Sequence, residues 1–123
     1  MANINPTITT IGNQDGSLKK VTWAFTGADT GLPIKFAEWA DRSVQMSGTW
    51  NGATVLWEGS NDGGTTYLPL TDPQGNAITS TGTDKLEAVT EICELARPRC
   101  SAGAVTAVTI SVILRRQQGI WSK

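Results

Sequence analysis

Three stretches of this chain carry a period of two in their apolar residues. Val21, Trp23 and Phe25 alternate with Lys20, Thr22, Ala24 and Thr26. Val44, Met46, Gly48 and Trp50 alternate with Ser43, Gln45, Ser47 and Thr49. Val108, Ile110, Val112 and Leu114 alternate with Ala107, Thr109, Ser111 and Ile113. Successive side chains of a strand point to opposite faces, so each stretch puts one face into a core and the other toward solvent or a neighbour. A helix of 3.6 residues per turn would scatter the same residues around its axis. Val, Ile, Thr and Trp, which suit a pleated surface, fill these stretches.

The turns point the same way. Asn51-Gly52 tolerates the positive φ values of a type I′ turn, which predicts a hairpin between residues 43–50 and 53–59. Pro69 cannot donate to a ladder, so its strand belongs at a sheet edge. Asp72-Pro73-Gln74-Gly75 fits a type I turn. Turn signals recur every 8–12 residues or so, a spacing expected of a sandwich or barrel with seven or eight short strands. Residues 32–40 fit neither period and read as a short strand and a tight turn, with room for one helical turn near Ala37–Asp41. Residues 87–95 also carry a helical alternative, but the surrounding β pattern favours a strand over 91–97. With 123 residues the chain makes one domain, 1–123, able to bury roughly two-thirds of its surface. Residues 1–15 or so read as an extended arm and residues 117–123 as a tail.

The sequence offers little to catalysis. It contains no histidine, which removes the commonest general base and the Ser–His and Cys–His nucleophile pairs. Two cysteines, Cys93 and Cys100, neither complete a zinc site nor form a Cys-x-x-Cys motif. No phosphate-binding glycine loop or nucleophile elbow is present. No catalytic residue, cofactor or metal is therefore expected. Paired carboxylates remain to be weighed: Glu38 with Asp41, or Glu91 with Glu94, near Glu58 or Glu87. Asn61, Asp62 and Asp72 could ligate calcium, although turn residues bonding their own backbone explain them more simply. The first residues lack the basic and apolar regions of a secretory leader, and no apolar run is long enough to span a membrane. Cytosolic synthesis would keep the two thiols reduced, so they are expected to be buried and free.

Charge and tryptophan placement suggest binding instead. Only 17% of residues are charged, against about 25% in typical domains, as if part of the surface were meant for burial. The net charge of −1 argues against direct nucleic-acid binding. Every carboxylate precedes residue 96, whereas Arg97, Arg99, Arg115, Arg116 and Lys123 follow it. That asymmetry either neutralises itself within the domain or faces an acidic partner. Trp23, Trp50 and Trp57 fall on apolar faces and read as core. Trp39 falls in the irregular segment, where core packing and an interface role are both open. Trp121 lies in the tail with Ile120, where nothing beyond it covers it. The candidate partner-binding residues are thus Ile4 in the arm, Trp39, Arg115 and Arg116 at the end of the last strand, and Ile120 and Trp121 in the tail.

The run Trp57-Glu58-Gly59-Ser60-Asn61-Asp62-Gly63, then Leu70 to Asn76, Ala96-Arg97-Pro98-Arg99, and Thr109 to Arg116 resembles small β-sandwich proteins of tailed phages. The group it is most similar to is the head decoration, or cement, proteins of podophage-like capsids. The resemblance spans roughly residues 44–116 and rests on turns and strands. It implies an all-β, antiparallel, jelly-roll-like sandwich. It also implies a partner, the major capsid protein, and a homo-oligomer, with a dimer favoured. Such a protein is made in the host cytoplasm and ends on the capsid exterior. Two other functions fit the same residues: a carbohydrate-binding module stacking sugars on Trp39, Tyr67 or Trp121, and a tail or neck component.

Overall fold

The computed structural model describes residues 2–11 and 17–116. Among them lie eleven strands and no helix. The first two, β1 (Asn3–Ile4) and β2 (Thr7–Thr10), precede β3 (Leu18–Phe25), β4 (Thr30–Gly31), β5 (Asp41–Thr49) and β6 (Thr54–Ser60). Then come β7 (Leu68–Pro69), β8 (Thr79–Thr81), β9 (Lys85–Ala88), β10 (Leu95–Ala102) and β11 (Ala107–Arg115). The count exceeds the predicted seven or eight because β1, β4 and β7 have only two residues each and β8 three. Such pieces are too short to show an alternation.

The strands form two sheets. One runs β1-β4-β10-β6-β7, with β8 also on β6; the other runs β2-β3-β11-β5-β9. All pairings are antiparallel except β1 beside β4. From β3 onward the chain changes sheet at nearly every connection, staying in one only through β6, β7 and β8. That winding is a jelly roll, the expected all-β sandwich.

The hairpin predicted at Asn51-Gly52 is not formed, because β5 and β6 lie in different sheets. The turn chemistry itself is as read. Asn51 and Gly52 have φ of 53° and 70°, and the Ala53 N–H bonds the Trp50 carbonyl at 3.0 Å. The turn bridges the sandwich because both edges of β5 are taken, by β11 and β9, and β6 has β10 on one side and β7 and β8 on the other. Trp50 and Ala53 are buried on either side of the turn, which fixes the crossing to the core. Pro69 lies in an edge strand as predicted. The strand expected over 91–97 begins only at Leu95. Upstream, Thr90 and Glu94 donate their N–H groups to Thr71 O and Asn61 Oδ1, outside any ladder. Residues 32–40 hold an isolated bridge at Ile34 and a turn closed by Trp39 N–H to Phe36 O, without a helix.

The segment read as an arm supplies a strand to each sheet. Asn3 and Ile4 pair with Thr30 and Gly31, and Thr7–Thr10 pair along β3. Between the sheets lie the residues that the alternation singled out: Val21, Trp23, Phe25, Val44, Met46, Val108, Ile110, Val112 and Leu114. Trp23 of β3 meets Trp57 of β6 edge to face across the sandwich, centroids 5.7 Å apart at 63°. The Trp23 indole N–H finds the Leu32 carbonyl at 3.0 Å. Cys93 and Cys100 are buried free thiols.

Truncating the central ring tests this packing. Trp23→Ala should lower unfolding free energy by about 3–5 kcal/mol, read from urea unfolding. A loss under about 1 kcal/mol would mean that the two rings do not hold the sheets together.

Candidate functional site

At one end of the sandwich, where β6 stops, the chain encloses an open groove of about 550 Å³. Its floor is Gly59, Leu70 and Cys93, and its rims carry Leu68 and Ile92, which are 64% and 58% exposed. Gly59 has to be glycine here. A Cβ at that position would run into Cys93 Sγ and the Leu70 methyls.

One wall is the turn after β6. Ser60 Oγ donates to Asp62 Oδ1 at 2.7 Å and accepts the Gly64 N–H at 3.0 Å. Asp62 Oδ1 also accepts the Thr66 N–H at 2.9 Å. Glu94 Oε1 takes the Gly63 N–H at 2.8 Å, and the Glu94 N–H donates to Asn61 Oδ1 at 2.8 Å. The opposite wall is Glu91, which accepts the Thr71 N–H at 2.7 Å and the Thr71 hydroxyl. The Asn/Asp/Gly cluster is thus a self-bonded turn, as turn chemistry suggests. Asp72 behaves alike, accepting the N–H groups of Gln74 and Asn76 at 3.0 Å each. Among the described residues no three acidic or thiol side chains gather to hold a metal ion.

The groove is acidic as well as apolar. Asp62 and Glu91 line it, and no lining residue is basic. The Thr66 N–H and then the Ser60 hydroxyl hold the Asp62 carboxyl below its usual range. Burial pushes Glu91 upward, but the Thr71 hydroxyl and N–H outweigh it and leave the net shift downward. Burial also pushes the Cys93 thiol up, against the opposing charge of Arg42. Both wall carboxylates are therefore ionised at neutral pH, while the floor thiol is protonated and inert.

Two buried charges brace this end. Arg42, 6% exposed, donates from Nε to Trp39 O at 2.9 Å and from Nη2 to Phe36 O, tying the 36–39 turn to β5. Glu58, 1% exposed, accepts Arg97 Nε at 2.7 Å and Arg99 Nε at 3.1 Å. The Arg97 guanidinium lies 3.7 Å above the Tyr67 ring, which pins the strand leading into the Leu68 rim.

The residues singled out from sequence lie elsewhere. Ile4 is half-buried against the core edge. Trp39 is 4% exposed, with Phe36 edge-on at 6.3 Å and the Lys19 and Arg116 cations 5.0 and 4.9 Å from its centroid. No open ring face is left there for a sugar, and one face of the half-buried Tyr67 ring is covered by Arg97. Arg115 is exposed and bonded to Asp41 at 2.8 Å. Trp39 and Arg116 thus meet, as do Arg115 and Asp41, whereas Ile4 does not join them. Ile120 and Trp121 lie outside the described residues. The groove was not anticipated; its one sequence signal is Leu68 and Ile92 beside Asp/Glu-rich turns.

No known protein family matches this chain, and no curated protein matches it. Solved structures do. The fold is similar to the SPBc2 prophage-derived protein YomS, with a TM-score of 0.62 and 13% identity over 86% of this chain and 97% of that one. A cupin domain from Bordetella pertussis Tohama I aligns with a TM-score of 0.48 and 18% identity, over 93% of this chain and 95% of that one. At such identities the likeness to YomS speaks for the fold.

Two outcomes follow from these bonds. A carboxyl depressed in the folded state contributes stability in full above its unfolded value and loses it as pH falls through the folded one. The Thr66 and Thr71 amide resonances should therefore stay constant from neutrality to about pH 5 and move only below about pH 4. Movement near pH 6 would contradict the assigned bonds. Glu58→Ala, which strands two arginines on one partner's loss, should cost near the lower end of about 3–5 kcal/mol in chemical unfolding, because both arginines are partly exposed.

Proposed function

We propose that this chain is a structural protein of a phage particle that works by binding, and that it decorates and stabilises the capsid by bridging neighbouring major capsid proteins. The observation that carries the reading is the groove. Leu68 and Ile92 stand exposed on its rims, next to two ionised carboxylates with no basic lining residue. The occupant that fits is an extended capsid segment with a bulky apolar anchor beside lysine or arginine. The pairing of the β6 end with turns locked by their own hydrogen bonds makes the groove preformed, which reduces the ordering cost of binding.

Catalysis is not part of the reading. A glycosidase needs one carboxyl held protonated as the acid, whereas Asp62 and Glu91 are both shifted the other way. The sequence brings no histidine to serve in their place. The jelly-roll fold and its likeness to a prophage-derived protein are in keeping with a phage origin. Binding the assembled shell in preference to free subunits would stabilise it by mass action, and many symmetric copies would add avidity. Attachment would be on the capsid exterior.

Purified protein should bind empty expanded heads of its phage and raise their melting temperature. Ile92→Asp, on the exposed rim, should weaken that binding by about tenfold or more while leaving the fold intact. Heads that neither bind the protein at about 10 µM nor melt higher would contradict the proposal.

A further inference from the structure

The strand β9 closes one edge of its sheet, and among the described residues no strand lies beyond it. Its pairing with β5 puts Ser43 opposite Ala88, Val44 opposite Glu87, Gln45 opposite Leu86 and Met46 opposite Lys85. The next pair is hydrogen-bonded, since the Val89 N–H reaches the Arg42 carbonyl at 3.1 Å. Bonded and non-bonded pairs alternate in an antiparallel ladder. Lys85 and Glu87 therefore direct their main-chain groups at β5, and Leu86 and Ala88 direct theirs at the open edge. Leu86 is also 64% exposed, on the outer face of the sheet. Lys85 and Glu87 share the other face, 3.9 Å apart, with about 28% and 29% of their side chains exposed.

We propose that β9 is the interface of a two-fold homodimer, in which two copies pair antiparallel through this strand with Leu86 opposite Leu86 of the second copy. The occupant follows from the order of the residues. With Leu86 on the two-fold axis, the outward main-chain groups of both copies form a bonded pair at the centre. Lys85 of each copy then faces Glu87 of the other, twice, in the close non-bonded pairs where side chains interact most. The exposed leucines meet on the opposite face. Sliding the pair by one allowed step in either direction puts Glu87 against Glu87, or Lys85 against Lys85. The sequence is thus complementary to itself in one register and repulsive in those beside it. A lysine pointing inward from an edge strand ordinarily blocks pairing; here the glutamate two residues on supplies its partner. The pairing joins two five-stranded sheets into one and places two grooves on one particle. The bridging use of those two grooves rests on the capsid reading, whereas the pairing itself does not.

Sedimentation velocity on the free full-length protein, from about 1 to 100 µM and without heads, tests the pairing apart from capsid attachment. The wild-type chain should dimerise within that range. Lys85→Glu alone and Glu87→Lys alone should each weaken the dimer by about tenfold or more, since each leaves only like charges across the axis. Mixing the two single variants should form a heterodimer, and the double variant Lys85→Glu/Glu87→Lys should dimerise again. Near-ultraviolet circular dichroism from the buried tryptophans confirms that each variant is folded. A wild-type chain that stays monomeric, single variants that dimerise like wild type, or a mixture that forms no heterodimer would each overturn the proposal.

Discussion

The contact between Trp23 and Trp57 is the one on which the rest of the sandwich depends. It joins an interior strand of one sheet, β3, to an interior strand of the other, β6, at 5.7 Å between centroids, with both rings fully buried. The alternation of β3, β5 and β11 supplies the aliphatic layer around it. Because the tryptophans fill the centre, the ends of the sandwich are closed by smaller devices. At one end these are Arg42 under the 36–39 turn and Cys93 with Leu70 on Gly59. The groove is what remains open at that end.

Much of the fold was legible because period-two alternation marks β3, β5 and β11, which are eight or nine residues long. Val21 to Phe25, Val44 to Met46 and Val108 to Leu114 lie where their pattern puts them. The Asn51-Gly52 turn was legible in its dihedrals and misread in its connection. Local turn chemistry does not say whether the next strand pairs or crosses, and in a jelly roll it crosses. The short strands left no signal, since two residues cannot alternate. The start of β10 was misplaced because Glu91 and Glu94 bond turns from distant sequence, which no window around residue 91 contains.

The site was less legible than the fold. Its walls come from residues 59–62, 66–70 and 91–93, and only pairing of β6 with β7 and β10 brings them together. The basic residues drew notice by their clustering after residue 96. In the folded chain Arg97 and Arg99 serve Glu58, Arg115 serves Asp41 and Arg116 lies on Trp39. Arg97, Arg99 and Arg115 are thus engaged by carboxylates of the same domain and Arg116 by an aromatic ring, whereas the carboxylates that line the groove have no basic residue beside them in its lining. A binding surface of that kind asks for a basic partner segment, the reverse of what the charge distribution along the chain suggests.

Hydrogen exchange on the protein, free and bound to heads, tests the central claim most directly. Binding through the groove predicts slowed exchange at amides of residues 59–70 and 91–95, with the buried strands β3 and β11 unchanged. Slowed exchange confined to other surfaces, with the groove amides as fast as in the free protein, would contradict it.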